Sequence, residues 1–168
     1  MEQLRNLPIG IQTFEDIRKG SFLYVDKTDM IYQIVHAGKP YFLSRPRRFG
    51  KSLLISTFEA YFQGRKELFE GLAIEKLEKE WIEYPVLHLD LNAEKYDSTS
   101  RLESMLARHL NLWEDVWGRE EREVTLSDRF IGIIRRAYEQ TGKQVVVLID
   151  EYDKPLLQAL LDLSLIHI

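Results

Sequence analysis

Chemistry-bearing residues concentrate at two short stretches. The first is Ser44-Arg45-Pro46-Arg47-Arg48-Phe49-Gly50-Lys51-Ser52, which closes in Gly-Lys-Ser. Glycine, lysine and a hydroxyl residue at a strand-to-helix turn suit a phosphate group. Backbone N–H groups at a helix start point into a small concavity, and the helix dipole favours negative charge there. Gly50 lets the backbone approach, Lys51 can reach the terminal phosphates, and the Ser52 hydroxyl fits a place on magnesium. The general pattern wants a further glycine where this chain has Arg45. Arginine rejects the backbone shapes that glycine tolerates best, and Pro46 stiffens the entry, so this loop must start differently.

The second stretch is Val146-Val147-Leu148-Ile149-Asp150-Glu151. An aspartate closing a buried apolar strand sits where a second magnesium contact belongs in such folds. Glu151 follows it, placed to polarise an attacking water. Taken alone, Asp150 and Glu151 read equally well as the start of a polar turn, and Gly-Lys-Ser alone is a common tripeptide. Together, each after a strand-like run, they point to a nucleotide site, because ligands of open α/β sheets bind at the carboxyl ends of the strands. Other candidates leave alternatives open. Arg47 and Arg48 either contact phosphate or nucleic acid, or face solvent. His88 and Asp90 share one face of a strand, where a catalytic role competes with satisfying a helix end. Asp153 and Lys154 either position the acidic pair or pair with each other. His36, His109 and His167 have no metal-ligand spacing and read as structural.

These residues need elements to hold them. Phe14 and Ile17 suggest one helical turn, and Phe22 to Val25 a brief extended segment. Asp26 is expected to start a helix that carries Met30, Ile31, Ile34 and Val35 and ends at Gly38. Tyr41 to Ser44 reads as the first core strand. Lys51 to Gln63 reads as a helix with Leu54, Ile55, Phe58, Tyr61 and Phe62 on one face, stopped by Gly64. A short helical piece over Lys66 to Leu72 follows. Pro85 to Leu91 is the second strand, with Leu87, Leu89 and Leu91 facing one way. Arg101 to Trp117 reads as an amphipathic helix whose stripe includes Met105, His109, Trp113 and Val116. Gly118 to Glu123 reads as a solvated charged turn. Thr125 or Ser127 caps a helix to about Gln140, with Phe130, Ile131, Ile134, Ala137 and Tyr138 inward and Gly142 closing it. Val145 to Ile149 lacks alternation, which predicts a strand buried on both faces. Strands alternating with helices argue for an α/β layered fold.

Composition sets outer bounds. The 168 residues contain 45% hydrophobic and 30% charged residues, a globular balance, and a formal charge of −4. That charge does not fit a protein that coats nucleic acid. With no cysteine there is no disulfide framework or thiolate metal site, and a cytoplasmic setting is expected. No secretory signal or membrane-length apolar run stands out.

Three stretches carry a family resemblance: Tyr24-Val25-Asp26-Lys27-Thr28, Phe42 through Ser52, and Val147 through Pro155. Together they resemble the AAA-ATPase-like P-loop proteins of bacteria and archaea, over roughly Ile9 to Leu157. The Arg-Pro-Arg-Arg-Phe-Gly-Lys-Ser loop, with arginine at the first glycine position, is similar to that family's own form. The resemblance implies an α/β fold, a P-loop NTPase three-layer sandwich with a mostly parallel sheet. It implies ATP and Mg as cofactors, with nucleotide binding by Arg47, Arg48, Phe49, Gly50, Lys51 and Ser52 (the Walker A element). It also implies Ser52 and Asp150 on the metal (Asp150 being the Walker B acid) and Glu151 as the catalytic base. Members often continue into a restriction-endonuclease-like domain, of which nothing is seen here. Residues 1–158 are therefore expected to be the N-terminal portion of the ATPase domain, its sheet incomplete at the C-terminus. Residues 159–168 are expected to be a non-native or disordered tail, and the piece to be aggregation-prone alone.

The leading function is ATP binding with Mg-dependent hydrolysis, coupled to an unspecified nucleic-acid or protein partner. The alternative is a nucleotide-gated DNA- or protein-binding module with little or no hydrolysis. A small-molecule kinase, and a basic nucleic-acid-binding segment with a fortuitous Gly-Lys-Ser, are the remaining readings.

Overall fold

A computed structural model of the chain describes residues 5–44, 49–91 and 99–153. The described chain divides into two units, one up to Tyr84 and one from Pro85. Arg45 to Arg48, Lys154, Pro155 and the expected tail at 159–168 lie outside the described residues.

The first unit is helical. Helix α1 spans Phe14–Lys19, with the Thr13 side chain accepting from the Asp16 N–H. Helix α2 spans Thr28–His36. The N-cap is Lys27, one residue after the expected Asp26, whose Oδ1 instead reaches forward to accept from the Thr28 N–H at 2.9 Å. Helix α3 spans Lys51–Phe62. A 3-10 turn over Lys66–Phe69 and a short helix α4, Ala73–Leu77, follow. One buried cluster gathers Phe14, Ile31, Ala60, Tyr61, Phe69 and Ile74, with Leu54 and Phe58 of the expected α3 face partly buried against it. The rings of Phe14, Tyr61 and Trp81 all contact Phe69, Phe14 with centroids 4.8 Å apart. Arg18 donates to the carbonyl oxygens of Leu68 at 2.7 Å and Glu70 at 2.5 Å, tying α1 to the 3-10 turn.

Tyr41 to Ser44 does not form the expected strand. A strand exists only through its ladder, and no ladder among the described residues includes this segment. Phe42 is 70% exposed.

The second unit holds a two-stranded parallel sheet. Strand β1, Val86–Asp90, pairs with β2, Val146–Asp150, in a register running from Val86 beside Val146 to Asp90 beside Asp150. The crossover comprises helices α5, Thr99–Trp117, and α6, Leu126–Thr141. A parallel pair needs such a crossover. Thr125 caps α6 through a full capping box with Asp128, and Gly142 ends it in a left-handed conformation (φ 66°). Leu87 packs with Leu110 and Ile133, and Leu91 with Met105.

The helix faces differ from expectation in an instructive way. Ile131 and Tyr138 are 62% and 55% exposed, while Arg129 and Arg136 are buried. Val116 is exposed too, and Leu110 takes the core position on α5. The turn over 118–123 is not simply solvated, because Glu123 is buried and pairs with Arg136. Arg129 Nε lies 2.7 Å from Glu114 Oε1, and its Nη2 donates to Asn111 Oδ1 at 2.6 Å. These side chains cross between α5, the turn and α6, so the interface is partly ionic. Strand β2 is buried less than its lack of alternation predicts: Val147 and Ile149 are 38% and 45% exposed. No helix among the described residues is long and apolar enough to cross a membrane.

Candidate functional site

Gly50 is the residue on which the candidate group in the first unit turns. It sits before α3 with φ +72° and ψ 27°, a left-handed conformation. A Cβ there would meet nothing within 4 Å. Backbone conformation, not crowding, is therefore what calls for glycine. No side chain caps α3, and its first turn contains no acidic residue. Helices α1, α2, α4 and α6 each carry an acid in the first turn, whereas α5, like α3, carries none. An acid there satisfies the helix dipole internally; α3 leaves that task to something else. The first helical bond runs from the Leu54 N–H to the Gly50 carbonyl oxygen at 3.0 Å. Amides upstream of such a bond are those a helix start offers to an anion. Lys51 and Ser52 are the first two residues of the helix and are half-buried, and Phe49 before them is exposed.

The candidate group in the second unit lies at the carboxyl end of β2. Asp150 is buried, and its Oδ1 accepts from the Glu151 N–H at 2.9 Å. Glu151 has φ +54°, the left-handed region, where a residue with a Cβ is strained. Such outliers persist where the surroundings over-determine them and cluster at functional sites. The strand period ends here, so Glu151 does not continue the alternation of the pleat. Asp153 Oδ1 is buried with no hydrogen-bond partner among the described residues.

The register brings one residue to the acidic pair that reading the chain in order could not. Asp90 stands beside Asp150 across the ladder. Register partners of a parallel pair point to the same face, so two carboxylates share one corner of the sheet. Sequence alternation put Asp90 and His88 on one face of β1, but nothing in it set the strand beside β2. Burial pushes the pKa of His109 on α5 down, in keeping with a structural reading. His36 Nδ1 lies 2.9 Å from the Tyr32 carbonyl oxygen and is likewise structural. Among the described residues no three His, Asp or Glu side chains cluster to hold a metal unaided.

Phe49, Gly50, Lys51 and Ser52 thus lie together at the head of α3 in the first unit. Asp150 and Glu151 lie together at the end of β2 in the second. Arg47, Arg48, Lys154 and His167 fall outside the described residues.

Comparison with known proteins adds an independent finding. The family model described as "AAA-ATPase_like: Predicted AAA-ATPase" matches residues 8–167. An "Uncharacterized protein in vnfD 5'region" of Azotobacter chroococcum mcd 1 is 41% identical over 157 residues, covering 93% of this chain. The chain spans 30% of the length of that relative. No solved structure matches the chain. A match over nearly the whole length, on a chain with Gly-Lys-Ser heading one helix and Asp-Glu closing a parallel strand, shows that this chain belongs to the predicted AAA-ATPase family.

Proposed function

We propose that the chain forms the nucleotide-binding part of a P-loop ATPase, a three-layer α/β sandwich that binds ATP with magnesium and hydrolyses it. The observation that carries this reading is the head of α3. A left-handed Gly50 precedes a helix that has neither a side-chain cap nor an acid in its first turn, followed at once by Lys51 and Ser52. That donor set fits a phosphate-bound magnesium, which takes hard oxygen ligands and keeps part of its shell on the phosphates. Magnesium, when bound, neutralises charge that develops between the β- and γ-phosphates. Backbone amides from Phe49 onward receive the phosphate oxygens. Arg47 and Arg48 add positive charge at the loop. Lys51 holds the terminal phosphates and Ser52 supplies a hydroxyl to the metal. Asp150 supports the metal side, buried and oriented by the Glu151 amide. Glu151 takes a proton from the attacking water. Its strained backbone supports a role that outweighs the conformational cost. Work of this kind is positioning plus electrostatics rather than covalent chemistry.

Glu151→Gln is the test. It should keep MgATP binding within about twofold and lower turnover by roughly a hundredfold, the scale of a lost general base. Unchanged turnover would remove Glu151 from that role. Binding without turnover in the unaltered chain would instead favour a nucleotide-gated module acting on DNA or protein. Lys51→Ala is the control for the phosphate loop and should abolish binding.

A further inference from the structure

Helix α3 is tied to the rest of the first unit by side chains that the chemistry described so far does not use. The first amides of a helix find no partner within it. Phe14 opens α1, and its N–H finds a partner on α3: it donates to Ser56 Oγ at 2.9 Å. The Ser56 hydroxyl gives its own proton to the Leu53 carbonyl oxygen at 2.9 Å, which leaves its oxygen to accept from Phe14. A second tie lies further along the helix. Tyr61 and Glu78 are both buried, and the Tyr61 hydroxyl donates to Glu78 Oε2, just past α4. Glu78 is itself held, since its Oε1 accepts from the N–H groups of Lys79 at 2.8 Å and Glu80 at 2.9 Å. Helix α4 is held in turn. Asp26 divides its carboxylate: Oδ1 accepts from the Thr28 N–H at the start of α2, and Oδ2 from the Ala73 N–H at the start of α4, at 2.7 Å. Thr28 Oγ1 accepts from the Ile74 N–H at 3.1 Å.

We infer that Ser56 and Tyr61 are positioning residues for the phosphate loop: their two hydrogen bonds fix α3 against α1 and α4, and so aim the Gly50 end of the helix. The inference rests on the nucleotide reading for its consequence, but not for its mechanics. Ser56 and Tyr61 are five residues apart on α3, which places them about 7.5 Å apart along the axis and about 140° apart around it. One bond alone would let the helix pivot; two bonds on different sides oppose both tilt and roll. The far end is closed by backbone as well, where the Tyr84 N–H donates to the Phe62 carbonyl oxygen at 2.7 Å. No side chain caps the head, so its aim follows from what holds the helix behind it. Lys51 lies about 7.5 Å along the axis from Ser56, and a tilt of about 10° there moves the head by about 1.3 Å. The donors of an anion site at a helix start are backbone groups that cannot swing independently. A misplacement of about 1 Å can cost two orders of magnitude in rate.

The experiment uses the full chain with Ser56→Ala, Tyr61→Phe, both together, and Ser56→Thr, which keeps the hydroxyl. Tyr61→Phe keeps the ring beside Phe69 and Trp81. Affinity for MgATP is measured well below the melting temperature of each variant, where a merely structural role would leave it unmoved. Ser56→Ala and Tyr61→Phe should each weaken MgATP binding about fivefold, the change in competent population that one hydrogen bond can hold. The double variant should lose about 25-fold or more, because the two bonds hold different sides of the helix. Ser56→Thr should bind as the unaltered chain does. Amide hydrogen exchange at Phe14, taken without nucleotide, reports the first tie directly, and Ser56→Ala should quicken it. Lower melting with unchanged affinity, a double variant no weaker than either single, or Phe14 exchange indifferent to Ser56→Ala would overturn the positioning role. MgATP binding by the unaltered chain would keep the nucleotide reading in each of those cases. Binding by no form, the unaltered chain included, would overturn the nucleotide reading and the positioning role with it.

Discussion

The two units are held by different forces. In the first, rings do most of the filling: Phe14, Tyr61, Phe69 and Trp81 meet in one cluster, and polar side chains close the helix ends by accepting backbone amides. In the second, helices α5 and α6 meet partly through charge. Arg129 pairs with Glu114, and Arg136 with Glu123 while also donating to the carbonyl oxygens of Trp117 and Gly118. Gly132 lies so close that a methyl group there would overlap the Glu123 carboxylate. Apolar burial tolerates volume-conserving swaps; an ion pair inside a helix interface demands its geometry. The residues at the head of α3 rest on the first kind of support, and the carboxylates at the end of β2 on the second.

That contrast can be broken by single substitutions. Phe69→Ala should be the largest effect, costing the first unit about 4 kcal/mol through lost burial and a residual cavity. Chemical denaturation followed by tryptophan fluorescence would read it, since Trp81 contacts that ring. A cost below about 1 kcal/mol would mean that the aromatic cluster is not what holds the unit.

Arg136→Met should cost about 3 kcal/mol, because it strands a buried Glu123. Arg136→Met combined with Glu123→Leu should recover much of it. Failure to recover would show that the interface needs the ions for more than mutual neutralisation. Acid offers the same cut without mutation. Arg136 beside Glu123, and Arg129 beside Glu114, hold these carboxyls below the ordinary glutamate value of 4.5. Depressed carboxyl pKa values contribute stability that is present above the unfolded value and is lost as pH falls through the folded one. The α5–α6 contact should therefore weaken below about pH 4.5, and Glu123→Gln should flatten that dependence, as read by amide exchange in α6.

The smallest change tests the acidic corner. Glu151→Gly should raise stability by up to about 1 kcal/mol, since glycine removes the left-handed strain at φ +54°. A lower melting temperature would instead indicate that the Glu151 side chain contributes packing or charge that outweighs its backbone cost.

Much of the framework was legible in the amino acids. Thr125 and Gly142 bracket α6, and Asp26 marks the start of α2, because caps act through local bonds that sequence spacing reveals. Strands β1 and β2 stand out for their apolar character. Side-chain destinations were less legible. Ile131 and Tyr138 fit an inward stripe, but the interface took Arg129 and Arg136 on their aliphatic stems, with acids waiting at Glu114 and Glu123. A hydrophobicity pattern cannot register an arginine whose partner lies on another element. Val147 and Ile149 show the same limit, since an unbroken apolar run identifies a strand without saying what covers each face. Of the candidate site, Gly50 and Asp150 follow from motif and strand end. The pairing of Asp90 with Asp150 required a register, which depends on the crossover through α5 and α6.

The divided carboxylate of Asp26 bears also on how the first unit assembles. Helices α2 and α4 are short and local, yet the bond from the Ala73 N–H to Asp26 closes a separation of 47 residues. Loop closure on that scale must be met before the bond returns anything. The start of α4 therefore depends on a long-range bond and not on its own few residues. The shortest α-helix of the unit thus takes its start from a residue far off in the chain, and that bond latches it onto the structure that the aromatic cluster gathers.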